Sequence, residues 1–111
     1  MTLNVYQRFA MRTSNPDLTP FEHLENGILG LNGEAGEASD LLKKYKFQGH
    51  PLDEDRIIKE LGDCLWYLAE AATGLGINLS WIAEENKKKL EARYPNGFDP
   101  ERSIHRAEGD V

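Results

Sequence analysis

Two pairs of acidic residues have the spacing that a metal site built on helices requires. Glu34 and Glu37 form one pair, and Glu60 and Asp63 form the other. A spacing of three places each pair on neighbouring turns of one helix face, and two antiparallel helices could bring the faces together. Two like charges about 4 Å apart repel by roughly 4 kcal/mol at an effective dielectric constant of 20, so four carboxylates need protons or a divalent cation. Ligands that are all oxygen favour magnesium or manganese over zinc.

A single pair of this kind is more often a solvated helix face than a site, but two pairs together favour a site. A series of glycines with the same spacing accompanies the first pair: Gly27, Gly30, Gly33 and Gly36. Each costs about 1 kcal/mol relative to alanine in a helix interior, so something must compensate. Close approach of another helix and open space for a metal and its ligand explain the series equally well.

Two polar residues further along the chain are candidates for binding phosphate. Asn86 falls within the apolar stripe of its helix, where a polar group needs a partner. Lys89 lies about one turn onward on the adjoining flank, so both side chains could reach a phosphate. The structural alternative is that the lysine run 87–89 is only a solvated face, as most charge runs are.

The elements that must position these residues are helices. Apolar residues recur every three to four positions and nowhere alternate with polar ones over the length of a strand. The first helix is expected to bury Val5, Phe9 and, as a third candidate, Tyr6. Thr19, Pro20 and Glu22 give the second helix a capping box. The predicted helices cover about 5–11, 20–47, 54–74 and 78–93.

The predicted architecture is all-α, an antiparallel bundle of about three main helices plus a short N-terminal helix, completed by oligomerisation. The length suits a single domain over residues 1–111, with an irregular polar tail from about 98 to 111. Trp66 and Trp81 lie off the apolar stripes of their helices, so a lone chain is expected to expose both indoles. A subunit interface is the first explanation for them, and a base-stacking pocket is the second.

The composition excludes several classes of protein. Hydrophobic residues make up 40% of the chain and charged residues 29%. No apolar run approaches the roughly 20 residues of a membrane span, and no apolar stretch resembles a signal peptide, so the expected location is cytoplasmic with no membrane partner. The net charge of -6 repels polyanions, so no nucleic acid polymer is expected to bind. Cys64 is the only cysteine, which excludes an internal disulfide.

Three longer motifs surround these candidates. They are GLNGEAGE over 30–37, KELGDCLWYL over 59–68 and NKKKLEARYP over 86–95. Together with the two acidic pairs they resemble the small single-domain members of the MazG-like all-α nucleoside triphosphate pyrophosphohydrolases. Tyr6-Gln7 and the segment 11–13 are also similar, so the resemblance covers most of the chain. Gly33 departs from it, because some members carry a further glutamate there.

The resemblance implies hydrolysis of a (deoxy)nucleoside triphosphate at the α-phosphorus, which gives the monophosphate and pyrophosphate. It implies that magnesium, or manganese as a substitute, is held by Glu34, Glu37, Glu60 and Asp63. One of the glutamates would also take the proton of the attacking water. The expected phosphate ligands are Asn86, Lys89, Arg93 and Tyr94, and Tyr67 is expected to border the sugar. Family members assemble as homodimers or homotetramers, so the same is expected here.

Two functions of other classes stay open. The chain could be a helical interaction or regulatory module whose carboxylates are only surface groups, or a metal-binding bundle without hydrolytic activity. Pyrophosphate release that requires magnesium separates an enzyme from the inert bundle. Thermal stability that does not respond to magnesium favours the interaction module.

Overall fold

The computed structural model describes residues 1–111 and contains five helices and no strand. The helices are α1 (Leu3–Met11), α2 (Pro20–Phe47), α3 (Glu54–Gly74), α4 (Leu79–Arg93) and α5 (Pro100–Ile104). This confirms the all-α prediction. None of the helices combines the length and apolar character that crossing a membrane requires.

The chain divides into two compact units, Met1–Leu79 and Ser80–Val111. The first unit contains α1, α2 and α3, and the second contains nearly all of α4 and the segment that follows it. The prediction that this segment is irregular is wrong in one place, because α5 forms there. Asp99 caps α5 by accepting a hydrogen bond from the backbone N–H of Glu101, and Pro100 supplies the fixed φ that suits a first helical position.

The long helix α2 begins at the capping box that the sequence predicts. The Thr19 hydroxyl accepts a hydrogen bond from the Glu22 N–H at 3.2 Å, and the Glu22 carboxylate accepts one from the Thr19 N–H at 2.9 Å. These two bonds satisfy backbone donors that a helix start otherwise leaves unpaired. Hydrogen bonding to the Thr19 backbone also lowers the pKa of Glu22.

Helices α2 and α3 pack antiparallel, and glycines set how closely they approach. A Cβ on Gly74 would lie 2.5 Å from the backbone nitrogen of Leu24, and one on Gly27 would lie 2.7 Å from that of Ala71. Both obstacles are backbone atoms, which cannot move aside as the end of a side chain can. The start of α2 therefore lies beside the end of α3, which confirms the antiparallel pairing.

The buried face of α1 differs from the predicted one. Val5 and Phe9 are exposed, whereas Gln7 and Ala10 are buried. The prediction was wrong because it counted apolar residues alone, and the residue that fits the interior here is a hydrogen-bonded amide.

Gln7 joins α1 to the turn after α3. Its Oε1 accepts a hydrogen bond from the Leu79 N–H at 2.6 Å, while its Nε2 donates to the Thr73 hydroxyl and the Ile77 carbonyl at 3.0 and 3.1 Å. The amide thus supplies partners to backbone groups that the end of α3 and the start of α4 leave free. A leucine of similar size could not do this.

The first unit contains a fully buried carboxylate. Glu70 is fully buried, at 0% exposure. Its Oε1 accepts a hydrogen bond from the Ser14 hydroxyl and lies 3.2 Å from Nδ1 of His23, and its Oε2 accepts from Asn26 Nδ2 at 2.7 Å. Three polar partners compensate for the loss of water around the carboxylate. The network ties the segment before α2 to both long helices.

Much of the apolar surface of the long helices remains uncovered in the single chain. On α2, Phe21, Ile28 and Leu42 are exposed, and on α3 Ile58 and Leu61 are 65% and 56% exposed. All five belong to apolar stripes whose residues recur every three to four positions in the sequence. Completion of the bundle by further subunits therefore stays a prediction, and these residues are where it would occur.

Candidate active site

The facing helices bring three carboxylates together. Glu34 comes from α2, and Glu60 and Asp63 come from successive turns of α3. Each offers an oxygen that lies within 4.8 Å of the other two. Glu34 and Glu60 are half-buried and Asp63 is exposed, so the cluster opens to solvent on one side.

The neighbouring carboxylates perturb Glu34 electrostatically. A hydrogen bond with Glu60 raises the pKa of Glu34, and burial raises it further. The negative charges of Asp63, Glu60 and Glu37 act in the same direction. A hydrogen bond between two carboxyl groups requires that one of them hold a proton. A divalent cation would relieve the same repulsion, and the all-oxygen donor set of the cluster suits magnesium or manganese.

Glu37 is the one predicted metal ligand outside this group of three. It is exposed on α2, one turn after Glu34, and its charge still reaches that residue. Arg56 lies one turn before Glu60 on α3, and its Nε is 3.8 Å from an oxygen of Glu60. An exposed arginine at this distance offsets little of the negative charge.

Aromatic residues form a wall beside the carboxylates. Glu34, Asp63, Trp66 and Tyr67 line a cavity of about 270 Å³. The rings of Trp66 and Tyr67 meet edge to face, with centroids 5.0 Å apart and an interplanar angle of 85°. Tyr67 thus borders the acidic cluster, as its predicted place beside the sugar requires, and its role stays a prediction.

Trp66 is fixed from within the chain. Its indole N–H donates to the carbonyl of Ala10 at 3.1 Å and to the hydroxyl of Thr13 at 2.9 Å. The expectation that a lone chain exposes both indoles is therefore wrong for Trp66, which is half-buried against the end of α1. It holds for Trp81, which is 58% exposed.

Tyr6 is a residue of this region that is not among the predicted site residues. Burial raises the pKa of its phenol, and the negative charge of Asp63 raises it further. The phenol therefore lies within electrostatic reach of the acidic cluster. Its signals in the sequence are its place in the apolar pattern of α1 and the Tyr6-Gln7 pair, which resembles the family.

The two explanations for the glycine series apply at different positions. A Cβ on Gly30 would collide with the ring of Tyr67, so Gly30, like Gly27, allows close packing against α3. Nothing lies within 4 Å of a Cβ on Gly33 or Gly36. Space beside the carboxylate pair of α2 is thus open in the single chain.

The predicted phosphate ligands all lie in the second unit. Asn86 and Lys89 line a groove of about 640 Å³ together with residues of the segment 108–111. Asn86 also borders a second groove of about 460 Å³, where Tyr94 lies. Asn86 is exposed on α4, so its position does not require a partner from the interior.

Arg93, the remaining predicted phosphate ligand, is already paired with a carboxylate. Its Nε and Nη2 donate to the two oxygens of Asp110 at 2.8 and 2.7 Å. This pairing lowers the pKa of Asp110 and raises that of Arg93. Such a fork geometry suits a carboxylate or a phosphate equally well, but it can hold only one of them at a time.

Comparisons with known proteins agree with the chemistry of this acidic cluster. The chain is 32% identical over 105 residues to the Gene 37 protein of Mycobacterium phage L5, an alignment that covers 87% of this chain and 92% of that protein. No solved structure matches the chain. The sequence model of the MazG nucleotide pyrophosphohydrolase domain matches residues 22–98, which include Glu34, Glu60 and Asp63. The chain therefore belongs to the MazG nucleotide pyrophosphohydrolase family.

Proposed function

We propose that this protein hydrolyses (deoxy)nucleoside triphosphates at the α-phosphorus in a reaction that depends on magnesium. The observation that carries the proposal is the convergence of Glu34, Glu60 and Asp63 within 4.8 Å in a chain of the MazG family. Water attacks the α-phosphorus and the bond from that phosphorus to the β-bridging oxygen breaks. The products are a nucleoside monophosphate and pyrophosphate.

The acidic cluster and Glu37 are the residues that would hold the metal. Mg²⁺, with Mn²⁺ as its substitute, supplies positive charge to the triphosphate oxygens and lowers the pKa of a coordinated water. The cation would take the place of the proton that the raised pKa of Glu34 favours. Glu37, which lies outside the group of three, is exposed on α2 one turn after Glu34, and its assignment to the metal is tested by Glu37→Gln.

The proton of the attacking water goes to one of the glutamates. A carboxylate whose pKa is raised, as that of Glu34 is, is a stronger base than an ordinary one. Glu34→Gln, Glu37→Gln and Glu60→Gln separate the roles. A variant that still binds magnesium but no longer hydrolyses substrate identifies the base, whereas loss of both identifies a ligand.

Substrate binding is assigned to groups that can contact phosphate and sugar. The proposed phosphate ligands are Asn86, Lys89, Arg93 and Tyr94, and Tyr67 borders the sugar. Lysine and arginine provide positive charge and hydrogen bonds to phosphate oxygens, and asparagine and tyrosine provide neutral donors. The acidic chain is expected to take single nucleotides and no nucleic acid polymer.

The proposed assembly is a homodimer or homotetramer, and the proposed location is the cytoplasm. The support for an assembly is the uncovered apolar surface of α2 and α3. Exposed apolar patches of this kind on a folded chain commonly mark subunit contacts.

A panel of canonical and modified triphosphates, assayed for pyrophosphate, tests the proposed reaction. Release should require magnesium, stop with EDTA, and fall at least about 100-fold in Glu60→Gln and Asp63→Asn, a larger loss than most outer-shell partners cause. Glu25→Gln, an exposed substitution on α2, is the control and should keep full activity.

Water labelled with heavy oxygen identifies the attacked phosphorus. The label should appear in the monophosphate, whereas label in pyrophosphate, or release of orthophosphate, contradicts attack at the α-phosphorus. A chain that binds magnesium but hydrolyses nothing in the panel would be the inert metal-binding bundle.

A further inference from the structure

The acidic cluster and its metal can recognise only the phosphate part of a substrate. Nothing in a set of carboxylates distinguishes a nucleotide from inorganic polyphosphate, because both present the same oxygens to the cation. Recognition of the nucleoside must therefore come from other groups on the same cavity. The two aromatic side chains on its wall are Trp66 and Tyr67.

The only polar group of Trp66, its indole N–H, already has hydrogen-bond partners within the chain. An indole has a single N–H and no acceptor, and this N–H is directed to the carbonyl of Ala10 and the hydroxyl of Thr13. The Thr13 hydroxyl in turn donates to the same carbonyl at 2.8 Å, so both acceptors belong to one fixed turn at the end of α1. Trp66 can therefore offer a ligand only the apolar surface of its ring.

The ring is also restrained before any ligand arrives. The end of α1 fixes its N–H, and the edge-to-face contact with Tyr67 fixes its tilt. A side chain held in this way loses little conformational freedom on binding, so more of the contact energy contributes to affinity.

We propose that Trp66 is a specificity-determining residue that stacks on the base of the nucleotide. Every base has a π-face, so a contact without hydrogen bonds accepts purines and pyrimidines alike. Trp66 thus selects nucleotides over inorganic polyphosphate and tolerates different bases. This inference rests on the proposed function, since it places the nucleoside beside the acidic cluster.

Kinetics of Trp66→Leu test the contact. The KM should rise about 5- to 150-fold, the range expected for loss of base stacking, and by a similar factor for each base. Inhibition by inorganic tripolyphosphate should change less than about 2-fold, because that ligand has no base. Trp66→Phe keeps a ring but loses the N–H, so it should retain most of the affinity, and Trp81→Phe is the matched control without effect.

The fluorescence of Trp66 gives a second test that needs neither turnover nor a substitution at this site. In Trp81→Phe the only indole is Trp66. A nucleoside monophosphate should quench its emission, whereas ribose 5-phosphate and tripolyphosphate should not. This measurement remains decisive if both Trp66 variants fail to fold.

The outcomes separate this inference from the proposed reaction. If triphosphates are hydrolysed but nucleotides do not quench Trp66, the stacking contact is refuted and the reaction stands. The same conclusion follows if Trp66→Leu weakens inhibition by tripolyphosphate as much as it raises the KM for nucleotides. If nucleotides quench Trp66 but none is hydrolysed, the stacking contact stands and the reaction is refuted. Quenching by only one class of base would overturn the proposed base tolerance.

Discussion

The raised pKa of Glu34 makes metal binding depend on pH. A hydrogen bond with Glu60, burial and nearby negative charges all hold a proton on Glu34 above the usual carboxyl range. The cation must displace this proton, so magnesium affinity should rise with pH, by up to about tenfold per unit, until Glu34 is ionised. Calorimetric titration of magnesium at several pH values measures the slope. Glu34→Gln should flatten it, and an unchanged slope would show that another group holds the proton.

The raised pKa of Glu34 also predicts how the stability of the metal-free protein changes with pH. A carboxyl whose pKa is higher in the folded state than in the unfolded state stabilises the fold at low pH, and this contribution is lost as pH rises through the folded value. The melting temperature of the metal-free protein, relative to Glu34→Gln, should therefore fall as pH rises above the ordinary carboxyl range. Magnesium should reverse the fall in the unaltered protein but much less in the variant. Parallel melting curves for the two proteins would contradict this.

The pairing of Arg93 with Asp110 predicts competition for the guanidinium. If Arg93 binds phosphate as proposed, the Asp110 carboxylate must leave, because its two oxygens occupy the fork. Asp110→Asn weakens the pair, so it should lower the KM for nucleotides and tighten inhibition by pyrophosphate. Glu108→Gln, in the same groove, is the control. A higher KM in Asp110→Asn would show instead that Asp110 holds Arg93 in its productive position.

At the scale of the elements, apolar periodicity and capping residues were sufficient to predict the four main helices. The start of α2 at Thr19 and Pro20 followed from local hydrogen bonding alone, which a sequence displays directly. The buried contacts of α1 could not be predicted from these local patterns. Gln7 and Glu70 are buried because polar groups distant in the chain meet them, and no local pattern reveals such pairs.

In the candidate site too, local spacing predicted some features, and others depend on the tertiary fold. The spacing of three placed Glu60 and Asp63 on one face of α3, and the antiparallel packing added Glu34. Arg93 and Asp110 are 17 residues apart in the chain, with a short helix between them, so no local sequence pattern reveals their pairing. Trp66 was recognised as unusual, but its hydrogen bonds to the end of α1 depend on the tertiary fold.

Replacing two different glycines of α2 by alanine should have opposite effects on the free energy of unfolding. Gly27→Ala places a methyl group against the backbone of α3, so it should lower the free energy of unfolding by about 1–3 kcal/mol. Gly36→Ala meets nothing within 4 Å and should raise it by up to about 1 kcal/mol through helix propensity. Urea denaturation of both variants measures the difference. If Gly36→Ala is also destabilising, a partner subunit packs closely at that position.

At the scale of the whole molecule, the apolar stripes of α2 and α3 predict that this chain assembles with further copies of itself. Ile28 and Ile58 lie on those stripes and are largely exposed, although each would gain by leaving water. Burial against another copy of the chain removes this cost. The bundle would then be completed between subunits.

This reasoning predicts the effect of a charge placed on one stripe. Light scattering of the unaltered protein should give the mass of a dimer or tetramer. Ile58→Glu should raise the dissociation constant at least about 100-fold, since an unpaired charge inside an apolar contact costs several kcal/mol. Lys59→Glu, at the adjoining exposed position of α3, should leave the mass unchanged. A monomeric unaltered protein would mean that these residues remain in water, and the explanation for their apolar character would have to come from a different partner.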